Sequence, residues 1–70
     1  MRYNMGIMDA ETGEIKRIVQ SFDSMGLAFQ RATSATWGYV RPAGTYICVE
    51  DTETGKVWYW QSPSIRREWK

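Results

Sequence analysis

The chain has no histidine and a single cysteine among its 70 residues. Histidine is the commonest general base and the commonest protein ligand for metal ions, so its absence excludes Ser/His/Asp and Cys/His arrangements. Cys48 alone provides neither an intrachain disulfide nor a thiolate metal site. It lies within an apolar, strand-like segment, and we interpret it as a packing residue. We therefore expect no catalytic residue, no enzymatic activity, no metal site and no cofactor.

A long apolar run and a strong net charge are also missing. No segment is apolar over the length that a membrane span needs, and the N-terminus lacks the pattern of a signal peptide. The formal net charge is +1, which argues against a strongly basic nucleic-acid binder. We expect one domain over residues 1–70, located in the cytoplasm and without a membrane partner.

One turn sequence occurs twice. Residues 9–15 read Asp-Ala-Glu-Thr-Gly-Glu-Ile and residues 51–57 read Asp-Thr-Glu-Thr-Gly-Lys-Val. An Asp carboxylate accepts hydrogen bonds from backbone N–H groups two residues on, and Gly supplies the positive φ that ends the loop. Each segment therefore predicts a β-hairpin. Because these turns explain most of the acidic residues, we favour the turn interpretation over a carboxylate pair or a calcium site.

The spacing of apolar residues predicts the register of both hairpins. In the first, over 2–8 and 14–20, we expect one face to pair Ile7 with Lys16 and Met5 with Ile18, and the other to pair Met8 with Ile15 and Gly6 with Arg17. In the second, we expect a core face with Val49 opposite Trp58 and Ile47 opposite Trp60. Its outer face then holds the pairs Glu50–Val57, Cys48–Tyr59 and Tyr46–Gln61.

The segment between the hairpins predicts one helix. Asp23 is the expected N-cap, with Phe22 and Leu27 forming a hydrophobic staple, and the helix is expected to end near Ala35. Residues 37–41 suit a short extra strand, and Ser62-Pro63 suits the start of a final short helix. The predicted fold class is α+β in the order ββαββ. A four- to five-stranded antiparallel sheet carries the helix on the face of Ile47, Val49, Trp58 and Trp60.

Aromatic residues and arginines are the candidates for function. The chain has 4 Trp, 4 Tyr and 2 Phe, more than so small a core can bury. Exposed Tyr, Trp and Arg are enriched in protein interfaces, and they also stack on single-stranded bases; covering a thin sheet is the third interpretation. We predict these partner-binding residues: Arg17, Arg41, Tyr46, Tyr59, Arg66, Arg67 and Trp69. The alternative is a small nucleic-acid-binding domain using Arg17, Tyr46, Tyr59 and the basic tail.

A family resemblance bears on the kind of partner. The stretch Thr45-Tyr-Ile-Cys-Val-Glu-Asp through Gly55-Lys-Val-Trp-Tyr-Trp60, preceded by a short helix and followed by Arg66-Arg67-Glu68-Trp69, resembles the layout of small phage-encoded inhibitors of the type I anti-CRISPR kind. The resemblance covers size, element order and residues 45–69, and carries over no functional residue. It implies a non-enzymatic inhibitor that docks on a host nuclease or defence complex, such as a CRISPR effector. The chain itself is expected to be a monomer or a homodimer paired through a strand edge.

Overall fold

The computed structural model describes residues 1–38 and 40–69. The elements in chain order are β1 (Tyr3–Asp9), β2 (Ile15–Phe22), α1 (Met25–Gly38), β3 (Thr45–Asp51), β4 (Val57–Ser62) and β5 (Ile65–Trp69). Within the described residues the strands form one antiparallel sheet in the order β2-β1-β3-β4-β5. The predicted α+β class, with two hairpins around one helix that packs on the sheet, is confirmed.

The two repeated sequences fold into the same turn. In each, the N–H two residues after the Asp donates to its carboxylate, at 2.8 Å from Glu11 to Asp9 Oδ1 and at 3.0 Å from Glu53 to Asp51 Oδ1. The glycines have φ values of 77° at Gly13 and 79° at Gly55, a region that side chains with a Cβ rarely adopt. Local chemistry is therefore sufficient to specify both turns.

The register of the second hairpin is confirmed over four residue pairs, from Glu50–Val57 to Ile47–Trp60, and that of the first is only partly correct. Met8 pairs with Ile15 as predicted, but bulges then place Ile7 opposite Arg17 and Gly6 opposite Ile18. Each bulge adds one residue to β2 and so exchanges the faces of the side chains that follow. Ile18 is consequently 44% exposed. Gly6 allows this close approach, since a Cβ there would overlap the Arg17 carbonyl oxygen.

Helix α1 begins one residue later than expected, with Ser24 rather than Asp23 as the N-cap. The Leu27 N–H donates to Ser24 Oγ at 3.4 Å, as an N-cap hydroxyl accepts it. With Ser24 as the N-cap, Phe22 and Leu27 no longer occupy the positions of a hydrophobic staple, and Leu27 is 54% exposed. Asp and Ser are both good caps, and the packing of the helix on the sheet selects between them.

The C-terminal end of α1 is also displaced from the prediction. The helix extends beyond Ala35 to Gly38, so Trp37 and Gly38 are helical. Val40 and Arg41 lie in neither helix nor strand, and Tyr39 is outside the described residues. The extra strand predicted over 37–41 is therefore not formed by the four of these residues that are described.

The fifth strand comes instead from the C-terminal segment, where a short helix was predicted. Residues 65–69 pair with β4, from Ser62 opposite Ile65 to Val57 opposite Trp69. A helix of so few residues is marginal in water, whereas the edge of β4 offers a row of backbone donors and acceptors. Non-local hydrogen bonding thus overrides the local Ser-Pro signal.

The main core lies between α1 and the sheet face that was predicted to carry it. Ile47, Val49 and Trp60 are at most 1% exposed. The Trp60 indole Nε1 donates to Thr33 Oγ1 at 3.0 Å, which satisfies the indole's polar group. Ala28 and Ala32 are fully buried, so the helix backbone approaches the sheet closely.

The opposite sheet face carries a second apolar layer. Tyr46, Tyr59 and Trp69 form an aromatic row, with ring centroids 4.9 Å apart for Tyr46–Tyr59 and 5.6 Å for Tyr59–Trp69. The Trp69 indole lies against Gly13 in the first turn, where a Cβ would overlap the ring. At Gly55, in the second turn, a Cβ would meet nothing within 4 Å. Equivalent turns therefore have different tertiary surroundings.

This difference predicts unequal effects of two matched substitutions. Gly55→Ala should lower the free energy of unfolding by about 1–2 kcal/mol, the cost of left-handed backbone. Gly13→Ala should cost about 1–3 kcal/mol more, because the added methyl displaces Trp69. Urea unfolding of both variants measures the two values. In a Trp69→Ala background the two costs should become equal, and equal costs in the parent chain would contradict the Gly13–Trp69 contact.

Candidate binding site

The seven residues predicted to bind a partner do not form one surface. Four lie on the sheet face away from α1: Tyr46, Tyr59, Arg67 and Trp69. Arg66 lies on the helix side of β5. Arg17 and Arg41 lie near a cleft beyond the end of the helix.

The four residues on the outer face are largely engaged with one another and with their neighbours. The members of the aromatic row are each half-buried, and Arg67 Nε donates to Gln61 Oε1 at 2.9 Å. In the sheet register Tyr59 pairs with Cys48 and Tyr46 pairs with Met8. Cys48 and Met8 are fully buried. The aromatic row therefore contributes to the packing of this face.

Cys48 has the properties of a packing residue. Burial raises the pKa of its thiol to about 12, because a thiolate loses its hydration there. At neutral pH the side chain is an uncharged thiol, which is a poor nucleophile and a poor metal ligand. Within residues 1–38 and 40–69 no group of three or more His, Cys, Asp or Glu side chains is placed to hold a metal ion.

Arg66 covers the edge of the main core. Its guanidinium carbon lies 4.4 Å from the centroid of the Phe29 ring, a cation–π geometry. Phe29 in turn contacts Trp58 and Trp60 edge-on, with centroids 5.1 and 5.5 Å away. Arg66 is also exposed, so its charge is accessible to solvent while its guanidinium packs on the Phe29 ring.

Arg17 is the residue whose position differs most from the prediction. The expected pairing with Gly6 placed it on the outer face, beside the aromatic side chains. The bulge in β2 pairs it with Ile7 instead, on the side of the sheet that faces α1. There it lines a mostly apolar cleft of about 360 Å³ with Ile7, Lys16, Pro42 and Thr45.

Arg41 shapes the same region from the loop between α1 and β3. Its Nε donates to the Thr45 carbonyl at 3.1 Å, which holds the loop against the start of β3. Lys16 Nζ is 3.3 Å from a Glu14 carboxylate oxygen. Among the described residues, neither Arg17 nor Arg41 forms an ion pair, so their charges are uncompensated.

A second, separate depression lies beside the hairpin and shares no lining residue with this cleft. It has a volume of about 330 Å³, and its lining is Met5, Gln20, Arg31, Ser34, Ala35 and Gly38. Met5 and Ile7 are alternate residues of β1 and point to the same face. We call the two depressions together the hairpin groove. No Asp or Glu lines it within the described part of the chain.

The cations Arg31 and Lys16 were not predicted as binding residues. Arg31 lies on α1, where the sequence pattern indicates only a solvated helix face. Its place beside Gln20 depends on how the helix crosses the sheet. No local signal distinguishes either residue from an ordinary surface cation.

An ion pair fixes the opposite end of β1. Arg2 Nε and Nη2 each donate to a carboxylate oxygen of Asp51 at 2.9 Å, and the Asp51 side chain is only 5% exposed. The Arg2 guanidinium holds the pKa of the Asp51 carboxyl well below its usual range. In the first turn, the pKa of Asp9 is lowered chiefly by the Glu11 N–H. Among the described residues, the Asp of the second turn thus forms a direct ion pair, whereas Asp9 has only the longer-range attraction of Lys16.

Comparison with protein-family models, with curated protein sequences and with solved structures gives no match. No helix in the described residues combines the length and apolar character needed to cross a membrane. Function is therefore inferred from the geometry of the surfaces described above.

The Arg2–Asp51 pair predicts a specific acid sensitivity. The folded-state pKa of Asp51 lies below its unfolded value of about 4. The stabilisation it provides is therefore fully present above about pH 4 and is lost as the pH falls through the folded-state pKa. Asp51→Asn should lower the Tm at pH 7 and flatten the fall in Tm below about pH 4. Thermal unfolding followed by circular dichroism across this range measures both effects.

Glu68→Gln is the matched control for that experiment. Glu68 is exposed and has no ion-pair partner among residues 1–38 and 40–69. Its substitution should leave the Tm and its pH dependence nearly unchanged. Equal effects of Asp51→Asn and Glu68→Gln would contradict the role assigned to the Arg2–Asp51 pair.

Proposed function

We propose that the protein is a non-enzymatic module that binds another protein through the hairpin groove. The observation that supports this most directly is the placement of Arg17 beside an apolar cleft, without an acidic partner among the described residues. Apolar surface with arginine at its rim is the composition of many protein interfaces. The cleft has a volume of about 360 Å³, which is within the range of ligand-binding pockets.

The chemistry of the groove favours binding over bond breaking. Its lining is apolar and cationic, with Gln20, Ser34 and Thr45 as the uncharged polar residues. The Thr45 hydroxyl donates to the Pro42 carbonyl, so its proton is engaged within the loop. Cys48 is buried away from solvent with a raised pKa. These features support a role in recognition.

The layout resemblance extends this proposal to the kind of partner. It implies a host nuclease or defence complex, such as a CRISPR effector, which the protein inhibits by steric occupation in the host cytoplasm. Charged groups at the groove would then steer association and fix orientation, the usual contribution of rim charges. Purified effector complex is accordingly the first partner to test.

Charge reversal at the groove should abolish partner binding. We expect the unmodified chain to bind the partner complex, and Arg17→Glu to remove that binding. Arg67→Glu is the matched control, because Arg67 is also an exposed arginine and lies on the other face of the sheet. Pulldown from host lysate, followed by calorimetry with the purified partner, provides the measurement. No partner at micromolar protein, or equal loss in both variants, would overturn the proposed function.

A nucleic-acid-binding role has one observation in its favour, the aromatic row with Arg67 beside it. Such a surface suits stacking on single-stranded bases. The rings are already packed against each other and against Gly13, which leaves less free surface for stacking. Binding of a single-stranded oligonucleotide that weakens steeply with salt, and that Arg67→Glu removes, would favour this role instead.

A further inference from the structure

Resting on the proposed function, we propose that the hairpin groove takes a short, extended, acidic peptide segment with one apolar side chain anchored in the cleft at Ile7. The cleft is mostly apolar, and each of the two depressions has a cation in its lining. Arg17 and Lys16 lie at the cleft, and Arg31 lies at the second depression. Carboxylates on either side of an apolar anchor complement this arrangement, because arginine binds carboxylate in a bidentate geometry.

The strand spacing sets the length of the segment. The groove follows the same-face residues of β1 from Met5 to Ile7 and reaches Thr45, which pairs with Asp9. From Met5 to Asp9 is four residues of strand, or about 13 Å. An extended peptide of four or five residues covers that distance. A single anchor with acidic residues before and after it therefore fits the groove.

The features of β2 favour binding in the groove over addition of a strand. β2 is an outer strand of the sheet, where an extended peptide ordinarily adds by backbone pairing. Its two bulges interrupt the regular spacing of the ladder, and bulges protect edge strands from such pairing. The uncompensated arginines and the apolar lining are on the face of the hairpin, not along that edge.

The charge pattern distinguishes the acidic peptide from other occupants. Lys16 is already paired with Glu14, which leaves Arg17 and Arg31 as the cations of the groove without an ion pair in the described residues. Two such charges are few for a nucleic acid, whose affinity comes from many phosphate contacts. Two arginines are sufficient for a segment with one carboxylate on each side of its anchor. The apolar side chain of the anchor then packs in the cleft.

The test uses the full chain and three labelled pentapeptides. The probe is Asp-Asp-Leu-Asp-Asp; the matched controls are Asp-Asp-Ser-Asp-Asp, without the anchor, and Lys-Lys-Leu-Lys-Lys, with reversed charge. Fluorescence anisotropy at low ionic strength should show that the probe binds at least about tenfold more tightly than either control. Amide chemical-shift changes should be largest at Met5, Ile7, Gln20 and Thr45. The Trp69 indole N–H on the other face should not shift.

Variants separate the groove from general electrostatic attraction. Arg17→Glu and Arg31→Glu replace exposed side chains, and each should weaken probe binding about tenfold or more. Arg67→Glu makes the same change in net charge on the other face and should leave the probe affinity unchanged. Circular dichroism confirms that each variant is folded. An equal loss with Arg67→Glu would overturn the proposal.

The remaining outcomes separate this proposal from the proposed function. If a partner protein binds in an Arg17-dependent way but the probe binds no better than its controls, the acidic-peptide proposal is wrong and the proposed protein-binding function stands. If neither the partner nor the probe binds, both are overturned. Tighter binding of a single-stranded oligonucleotide than of the probe, again dependent on Arg17, would assign the groove to nucleic acid.

Discussion

The antiparallel pairing of β1 with β3 is the interaction on which the rest of the structure depends. It joins two hairpins that are far apart in the chain, over seven residue pairs from Tyr3–Asp51 to Asp9–Thr45. Its alternate pairs supply the centre of both apolar layers. Met5 with Val49 and Ile7 with Ile47 face α1, whereas Gly6 with Cys48 and Met8 with Tyr46 face the other side. A one-residue change in this register would exchange the two layers.

The same pairing gives the two Asp-x-Glu-Thr-Gly turns different roles. At one end of β1 it brings Arg2 to Asp51, so the carboxylate that organises the second turn also binds a guanidinium. At the other end the Ala10 N–H donates to the Gly44 carbonyl at 2.9 Å, which ties the first turn to the loop before β3. The first turn also contacts Trp69 from β5 through Gly13. The repeated sequence therefore specifies only the local structure of each turn. The tertiary contacts of the two turns differ.

The bulges of β2 connect the fold to the candidate site. Without them Arg17 would face the aromatic row, as the regular register predicts. With them it faces the cleft beside Ile7, and β2 is poorly suited to accept a further strand. Gly6 is the residue that permits this, because the Arg17 carbonyl occupies the space of a side chain there. The bulges in β2 thus determine on which face of the sheet the uncompensated charge of Arg17 lies.

Features of the fold that depend on neighbouring residues could be predicted from the amino-acid sequence. The Asp-x-Glu-Thr-Gly turns, the register of Val49 with Trp58 and of Ile47 with Trp60, and the presence of one helix follow from turn chemistry and apolar alternation. The same alternation placed Cys48 on the outer face of the second hairpin, and its complete burial there was not predicted.

Features that depend on residues distant in the chain could not be predicted in this way. The bulges, the choice of Ser24 as the cap, the end of α1 and the pairing of residues 65–69 with β4 each reflect packing or hydrogen bonding that no local pattern encodes. The hairpin groove belongs to this second group. Met5, Ile7, Arg17, Arg31 and Pro42 come from four separate segments, and only the crossing of α1 over the paired strands brings their side chains to one surface.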